Sequence, residues 1–209
     1  MIYRTLASFA ALLLLAFPKA NAQTTVTGHH LENTSVGFYG FGVNIPYNYY
    51  PYTPPPSEKN FKVVTYADLA WVSTAHLDKH AGFTTIERLP FQSTTNGLVV
   101  SVLRGTERIP SIKDKIEYLR FLDKFMSWTV EHSDKEIMRD TRQIGDIYVG
   151  RVASAYGNDI IAANIVLIPP RTVLAFHGTC SKEKKDDLLQ DLDAIIATLD
   201  IGKRTPPAP

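Results

Sequence analysis

The sequence predicts an α+β domain in which an antiparallel sheet is covered by two main amphipathic helices. Three observations lead to this fold class: a closing helix with one broad apolar stripe, a second helix of similar length in mid-chain, and a run of short, closely connected strands between the two. An amphipathic helix cannot bury its stripe by itself, so each helix needs a sheet face to cover.

Residues 1–22 have the features of a signal peptide. Arg4 provides a positive start, an apolar run extends from Phe9 to Phe17, and Ala20-Asn21-Ala22 forms a small-x-small cleavage site. The apolar run is short for a bilayer span, although an uncleaved signal-anchor helix is the alternative. We therefore predict a periplasmic or secreted protein with no transmembrane segment after cleavage.

The remaining chain predicts one domain at 36–202, after a flexible arm at 23–35 and before a disordered tail at 203–209. The leader holds two of the 22 basic residues and no acidic one, which leaves 20 basic against 21 acidic residues. This balance gives no basic stripe for nucleic acid. The single cysteine, Cys180, excludes an internal disulfide.

An alternating pattern from Val36 to Ile45 predicts the first strand. Its apolar face holds Tyr39, Phe41, Val43 and Ile45. The next stretch, Pro46–Pro56, is rich in proline and tyrosine and predicts an extended surface segment. Its tyrosines either pack back on the edge of the core or form an aromatic contact surface, since Tyr offers a large contact area at low entropic cost. The candidate binding residues are Tyr47, Tyr49, Tyr50 and Tyr52.

Asn60–Val64 resembles a short strand, whereas residues 65–83 fit both a helical face and a strand alternation. We favour a strand from Tyr66 to Thr74. Beyond it, two strands, Phe83–Phe91 and Leu98–Leu103, flank Asn96-Gly97. Because Asn-Gly suits a tight hairpin turn, we expect these two strands to pair with the turn at that dipeptide.

The mid-chain helix is predicted to start at Ser111, with Asp114 in capping-box register, and to run through Ile112–Val130. Its expected buried face comprises Ile112, Ile116, Leu119, Leu122, Phe125, Met126 and Thr129. A meander follows, in four strands: Ile137–Arg142, Ile147–Ala155, Ile160–Ile168 and Val173–Phe176. A polar loop from His177 to Ser181 then leads to the closing helix, whose stripe comprises Leu188, Leu189, Leu192, Ile195, Ile196 and Leu199.

Two residue pairs could carry chemistry. His76 and His80 would share one face of a helix, as a zinc pair requires, although no third ligand is indicated and a solvated charged turn is the alternative. His177 and Cys180 could form a base and a thiolate nucleophile at a helix start, or they could be purely structural. No cofactor motif accompanies either pair, and a non-enzymatic protein is the preferred interpretation.

The order of these elements resembles the PsbP-like family. The resemblance lies in Phe41–Pro46 with Tyr49-Tyr50 behind it, the mid-chain helix, the turn at Tyr156-Gly157, and the closing helix ending at Leu199. It implies an α/β/α sandwich and a non-enzymatic accessory or binding role toward another protein or an envelope component. The chain departs from the family pattern in its Tyr-Pro segment and in having Tyr where such strands commonly lead into Trp.

Overall fold

A computed structural model describes residues 34–38, 41–54, 65–81, 83–105, 115–144, 147–168 and 172–201, the side chains of 34–38 and 76–81 excepted. Its nine strands are β1 Thr34–Phe38, β2 Phe41–Ile45, β3 Tyr50–Pro51, β4 Phe83–Gln92, β5 Asn96–Gly105, β6 Lys135–Ile144, β7 Ile147–Tyr156, β8 Asp159–Ile168 and β9 Thr172–Ser181. Its helices are α1 Tyr66–Ala81, α2 Lys115–Thr129 and α3 Lys185–Ala197, with a 3-10 turn at Lys182–Lys184 before α3.

Seven strands form one sheet in the order β3-β4-β5-β9-β8-β7-β6, and every neighbouring pair is antiparallel. This confirms the predicted antiparallel sheet and the meander at its end. The turn between β7 and β8 contains Gly157, whose φ of 55° lies in the left-handed region that glycine adopts easily. Strands β1 and β2 form a separate ribbon, and paired backbone hydrogen bonds join Gly42 of β2 to Asp200 in the segment that follows α3.

Helices cover both faces of the sheet, as expected for an α/β/α sandwich. On one face α3 packs through Leu188, Leu192, Ile195 and Ile196 onto a cluster that also contains Phe41, Val43 and Ile45 of β2. On the opposite face α2 packs onto a second cluster. The predicted stripe of α3 is therefore confirmed, and α1 is a third helix, at residues where the sequence favours a strand over a helical alternative.

Helix α1 corrects the predicted strand from Tyr66 to Thr74. A reciprocal capping box begins it: the Thr65 amide donates to Asp68 Oδ2 (2.8 Å), and the Asp68 amide donates to Thr65 Oγ1 (3.1 Å). A third amide at this end, that of Ala67, donates to Gln92 Oε1 at 2.8 Å. The first amides of a helix have no partner within the helix itself. At α1 these side-chain oxygens accept hydrogen bonds from them, which stabilises the start of the helix.

The hairpin of β4 and β5 is confirmed, but its turn is not at Asn96-Gly97. The turn lies at residues 93–95, closed by a hydrogen bond from the Ser93 amide to the Asn96 carbonyl (2.8 Å). Gly97 pairs with Gln92 inside the ladder. A Cβ at Gly97 would lie 2.1 Å from the carbonyl carbon of Tyr66, so this glycine lets the start of α1 approach the sheet backbone.

The predicted buried face of α2 was wrong at its first described turn. Ile116 is 63% exposed, whereas Tyr118 is buried and its hydroxyl donates to the Leu167 carbonyl at 2.6 Å. Leu122, Phe125 and Met126 are buried as predicted.

The predicted single strand from Val36 to Ile45 is two strands, β1 and β2, although the alternation at Phe41, Val43 and Ile45 holds. The signal peptide, nearly all of the flexible arm, the Asn60–Val64 strand, the Ser111 cap and the disordered tail lie outside the described residues.

Candidate binding site in the tyrosine segment

The tyrosine segment, Pro46–Pro54, runs along one edge of the large sheet. Its residues Tyr50 and Pro51 form β3 and pair with Gln92 and Phe91 of β4. The Tyr52 amide then donates to the Pro90 carbonyl at 2.9 Å. A proline is compatible with an edge strand because no ladder bond is required from its nitrogen. Hydrogen bonds to β4 therefore fix the backbone of the segment at residues 50–52.

Tyr49 fastens the segment to α3. Its side chain is 3% exposed, and its hydroxyl donates to Asp191 Oδ2 at 2.9 Å. Asn96 Nδ2 in turn donates to the Tyr49 hydroxyl at 3.3 Å. Burial, with the negative charge of Asp191 as the next cause, raises the pKa of Tyr49 well above its usual range. Burial likewise raises the pKa of Asp191.

Tyr52 fastens the same segment to α1 on the other side of the sheet. Tyr52 is half-buried, and its hydroxyl donates to Asp68 Oδ1. The other carboxylate oxygen of Asp68, Oδ2, accepts the Thr65 amide in the capping box of α1. Burial, together with this hydrogen bond, raises the pKa of Tyr52. The segment is thus bonded to one helix on each face of the sheet.

The other two tyrosines face outward. Tyr47 is 75% exposed and Tyr50 is 50% exposed, and both belong to the small set of large apolar side chains that are exposed in the described part of the chain. Of the four candidate residues, Tyr49 is buried and Tyr52 is half-buried, so Tyr47 and Tyr50 present the most exposed rings. Because hydrogen bonds already hold the backbone that carries Tyr47 and Tyr50, binding a partner through these rings would cost little conformational entropy.

The structure does not bring the side chains of His177 and Cys180 together. The predicted polar loop is wrong, since β9 continues to Ser181 and places both residues within one strand, three positions apart. Side chains at odd spacing point to opposite faces. His177 lies beneath α1, with Ser73 Oγ 2.9 Å from its Nδ1, whereas Cys180 lies in the cluster beneath α3.

The electrostatics of both residues also oppose a thiolate. Burial raises the pKa of the Cys180 thiol to about 12, and the charge of Asp159 adds to this. Burial lowers the pKa of His177 to about 4, with Arg88 as the second cause. The expected effect of a helix N-terminus on Cys180 does not arise, because α3 begins only at Lys185.

The metal hypothesis remains a prediction. Positions 76 and 80 do lie one turn apart within α1, but the side chains of His76 and His80 are outside the described residues. In the described part of the chain, no group of three or more His, Cys, Asp or Glu side chains is placed to hold a metal ion. The same part holds no helix that is both long and apolar enough to cross a membrane.

Sequence reasoning missed a set of buried polar groups beneath α1. Ser101 Oγ, His177 Nε2 and Thr179 Oγ1 lie on the face of β5 and β9 that α1 covers. None of the three atoms has a hydrogen-bond partner within the described structure, and each exposes less than 1 Å². Within the described residues these three polar atoms are therefore buried without a protein hydrogen-bond partner, which is unusual for buried polar groups.

Comparisons with protein-family models and with curated proteins find no match for this chain. Solved structures do match. The solution structure of cyanobacterial PsbP from Synechocystis sp. PCC 6803 is 12% identical over 80% of this chain and 91% of that chain, with a TM-score of 0.47. LpqN, involved in cell envelope biogenesis of Mycobacterium tuberculosis, is 13% identical over 79% and 88%, with a TM-score of 0.40.

A crystal structure from Bacteroides thetaiotaomicron VPI-5482 is 12% identical, with a TM-score of 0.39, and this chain covers 48% of its length. PsbP is thus among the structures that this chain resembles, as the sequence predicted. At these identities the similarity concerns the fold alone.

Proposed function

We propose that this protein is an exported, non-enzymatic binding or accessory protein that contacts another protein or an envelope component through Tyr47 and Tyr50. The observation that supports this role is the contrast within the tyrosine segment, where the exposed rings of Tyr47 and Tyr50 alternate with the buried Tyr49 and the half-buried Tyr52, whose hydroxyls are hydrogen-bonded to helices. Exposed aromatic side chains on a pre-ordered backbone are typical of protein-binding surfaces.

The electrostatic balance of the chain fits the same proposal. With 20 basic and 21 acidic residues after removal of the leader, which holds two of the 22 basic residues, long-range attraction to a polyanion would be weak. Recognition would then rest on local shape and on the two aromatic rings. The proposed export rests on the signal-peptide pattern of residues 1–22.

The test is affinity capture from a native envelope extract with three baits: the wild type, the double variant Tyr47→Ser/Tyr50→Ser, and Ile116→Ser. The last is the matched control, since Ile116 is 63% exposed but lies on α2. We expect the control to retain the wild-type partner, and the double variant to bind it at least about 10-fold more weakly, or about 1.4 kcal/mol.

Binding of the purified partner by isothermal titration calorimetry gives the affinity. Equal affinity of the double variant and the wild type would overturn the assignment of Tyr47 and Tyr50. A second variant, Tyr49→Phe, distinguishes contact from anchoring: it removes a buried hydroxyl that bonds to Asp191 and leaves the two exposed rings in place. It should lower stability while binding persists.

A further inference from the structure

Strand β6 ends the large sheet on the side opposite β3, and its only neighbour within the described residues is β7. Two large apolar side chains are exposed along it, Ile137 at 39% and Ile144 at 41%. Salt bridges connect β6 to both helices, from Arg139 to Asp123 of α2 (3.1 Å) and from Arg142 to Asp193 of α3 (3.4 Å). No strand of the described structure pairs with the outer edge of β6, and such an edge is one that another chain can extend.

The part of β6 that pairs with β7 without a bulge is seven residues long, so it has one central residue. The register between β6 and β7 shifts between Glu136 and Met138, and from Met138 to Ile144 the pairing is uninterrupted. Thr141 is the middle of these seven residues. A second copy that pairs antiparallel about a twofold axis at Thr141 would therefore use the whole regular stretch and would end at the irregularity on both sides.

The side chains are complementary in this arrangement and in no adjacent one. With the axis at Thr141, Asp140 faces the partner's Arg142, and Met138 faces the partner's Ile144. A shift of the axis to Asp140 or to Arg142 would oppose two identical charges. Opposite charges across a strand pair are favourable, whereas like charges directly opposite are destabilising.

An axis between two residues is excluded for a different reason. It would pair side chains of opposite faces, because the side-chain period of a strand is two. On the face that α3 covers, Asp140 and Arg142 already belong to an ionic network, in which Arg151 bonds to Asp140 (3.0 Å) and to Asp193 (2.9 Å). This network fixes both charged groups near the edge before any partner arrives.

We infer that the protein forms a homodimer in which β6 pairs antiparallel with β6 of a second copy about a twofold axis at Thr141. The two seven-stranded sheets then become one continuous sheet. The tyrosine segment lies at the opposite edge of each sheet, so the dimer leaves both proposed binding sites open. The dimer does not depend on the proposed function, and each can fail without the other.

The first test is disulfide cross-linking of the full exported chain carrying Thr141→Cys. Residues opposite each other on the axis have Cα atoms about 4.5–5.5 Å apart, within the range of a disulfide. Gln143→Cys is the matched control, because two copies of residue 143 would be four positions apart, or about 13 Å. The native Cys180 is buried and does not compete.

We expect most of the Thr141→Cys chain to migrate as a dimer on a non-reducing gel after mild oxidation, and less than about a tenth of the Gln143→Cys chain. Equal cross-linking of both variants, or none in either, would overturn the register. Unchanged urea midpoints of the reduced variants would show that each has kept its fold.

The second test uses charge at the axis. Thr141→Lys and Thr141→Glu each place like charges opposite each other, so each variant alone should dissociate at least about 10-fold more readily than the wild type. An equimolar mixture should restore dimers, because lysine then faces glutamate. Sedimentation equilibrium measures the dimer fraction of the wild type, of each variant and of the mixture. Concentrations up to roughly 100 µM of chain detect dissociation constants in the micromolar range. A monomeric wild type, or a dimer unaffected by either charge, would refute the inferred interface.

Discussion

Helices α1 and α3 cover the same sheet from opposite sides, but they are held there by different interactions. Helix α3 buries Leu188, Leu192, Ile195 and Ile196. Each such side chain contributes about 1.5–3 kcal/mol on full burial. Among its residues with described side chains, α1 buries Ala67, Asp68, Ala70 and Thr74, which carry far less apolar area.

Three other contributions hold α1 instead: a capping box, a close backbone approach over Gly97, and polar contacts in the middle of the helix. Those contacts are Ser73 with His177, and the Arg88 Nη2 atom donating to the Thr74 carbonyl at 3.1 Å. The contrast teaches that one sheet can carry a helix that is held by hydrophobic burial and another that is held by geometry and hydrogen bonds. It also separates the expected effects of mutation on the two faces.

The largest difference should come from two glycines. At Gly97 an added Cβ would lie 2.1–2.2 Å from backbone atoms of Tyr66 and Ala67, which cannot move aside without displacing α1. We expect Gly97→Ala to lower the free energy of unfolding by about 4 kcal/mol, above the usual range for overpacking. Urea denaturation measures this.

Gly178→Ala is the counterpart beneath α3. Its Cβ would lie 2.4 Å from Leu188 Cδ1, the end of a flexible side chain that can adopt another rotamer. A loss of about 1–2 kcal/mol is expected there. If Gly178→Ala costs as much as Gly97→Ala, the distinction between a backbone contact and a side-chain contact fails.

The dependence of stability on pH should report on His177, which lies beneath α1. The unfolded chain protonates His177 as the pH falls below about 6.5. The folded chain does so only near a pKa of about 4, because the ring is buried. The unfolded state therefore binds more protons between these values, and His177 alone should reduce stability by about 3 kcal/mol as the pH falls from 7 to 4.

Urea midpoints at several pH values, compared between the wild type and His177→Gln, isolate this contribution from that of the carboxylates. The variant should lose less stability than the wild type over the same range. Parallel curves for the two proteins would mean that His177 is not the source of the acid sensitivity.

A smaller effect of the opposite sign is expected at the unpartnered hydroxyl of Thr179. Thr179→Val keeps the shape and removes a buried group that has no hydrogen bond in the described structure, so stability should rise by about 1 kcal/mol. The reverse change on the α3 face, Val166→Thr, buries a new hydroxyl in an apolar cluster and should cost about 1–3 kcal/mol. A destabilising Thr179→Val would show that the hydroxyl has a partner after all.

The least disturbing probe is the thiol of Cys180, which needs no mutation. With its pKa raised to about 12 and its side chain fully buried, the thiol should react negligibly with a thiol reagent at pH 8 in the folded protein. Full reaction after addition of urea is the positive control. Rapid labelling without denaturant would revive the thiol-enzyme alternative.

The same contrast explains what the sequence could predict. Helix α3 and the meander were predictable because their signals are local: an apolar stripe in the helix, and short strands with a Gly157 turn between β7 and β8. At residues 65–83 the sequence left helix and strand open, because the buried face of α1 is small and partly polar. One local signal was present, since Thr65-Tyr66-Ala67-Asp68 has the spacing of a capping box.

The candidate site was less predictable because its contacts are distant in sequence. Composition alone marked Pro46–Pro56 as unusual, but it did not separate anchors from exposed rings. Tyr49 is fixed by Asp191, 142 residues away, and His177 meets Ser73 across 104 residues. Such pairings depend on which strands become neighbours, and β9 inserts between β5 and β8. No local pattern encodes that order.

The two anchors of the tyrosine segment have a mechanical consequence. Strand β3 has only two residues, so its backbone bonds alone would offer little resistance to a force that pulls on Tyr50. Tyr49 and Tyr52 pass that force to α3 and α1, which lie on opposite faces of the sheet. A partner that pulls on the segment would therefore apply force to α3 and α1 at the same time. Detaching the segment would require breaking both the Tyr49–Asp191 and the Tyr52–Asp68 hydrogen bond.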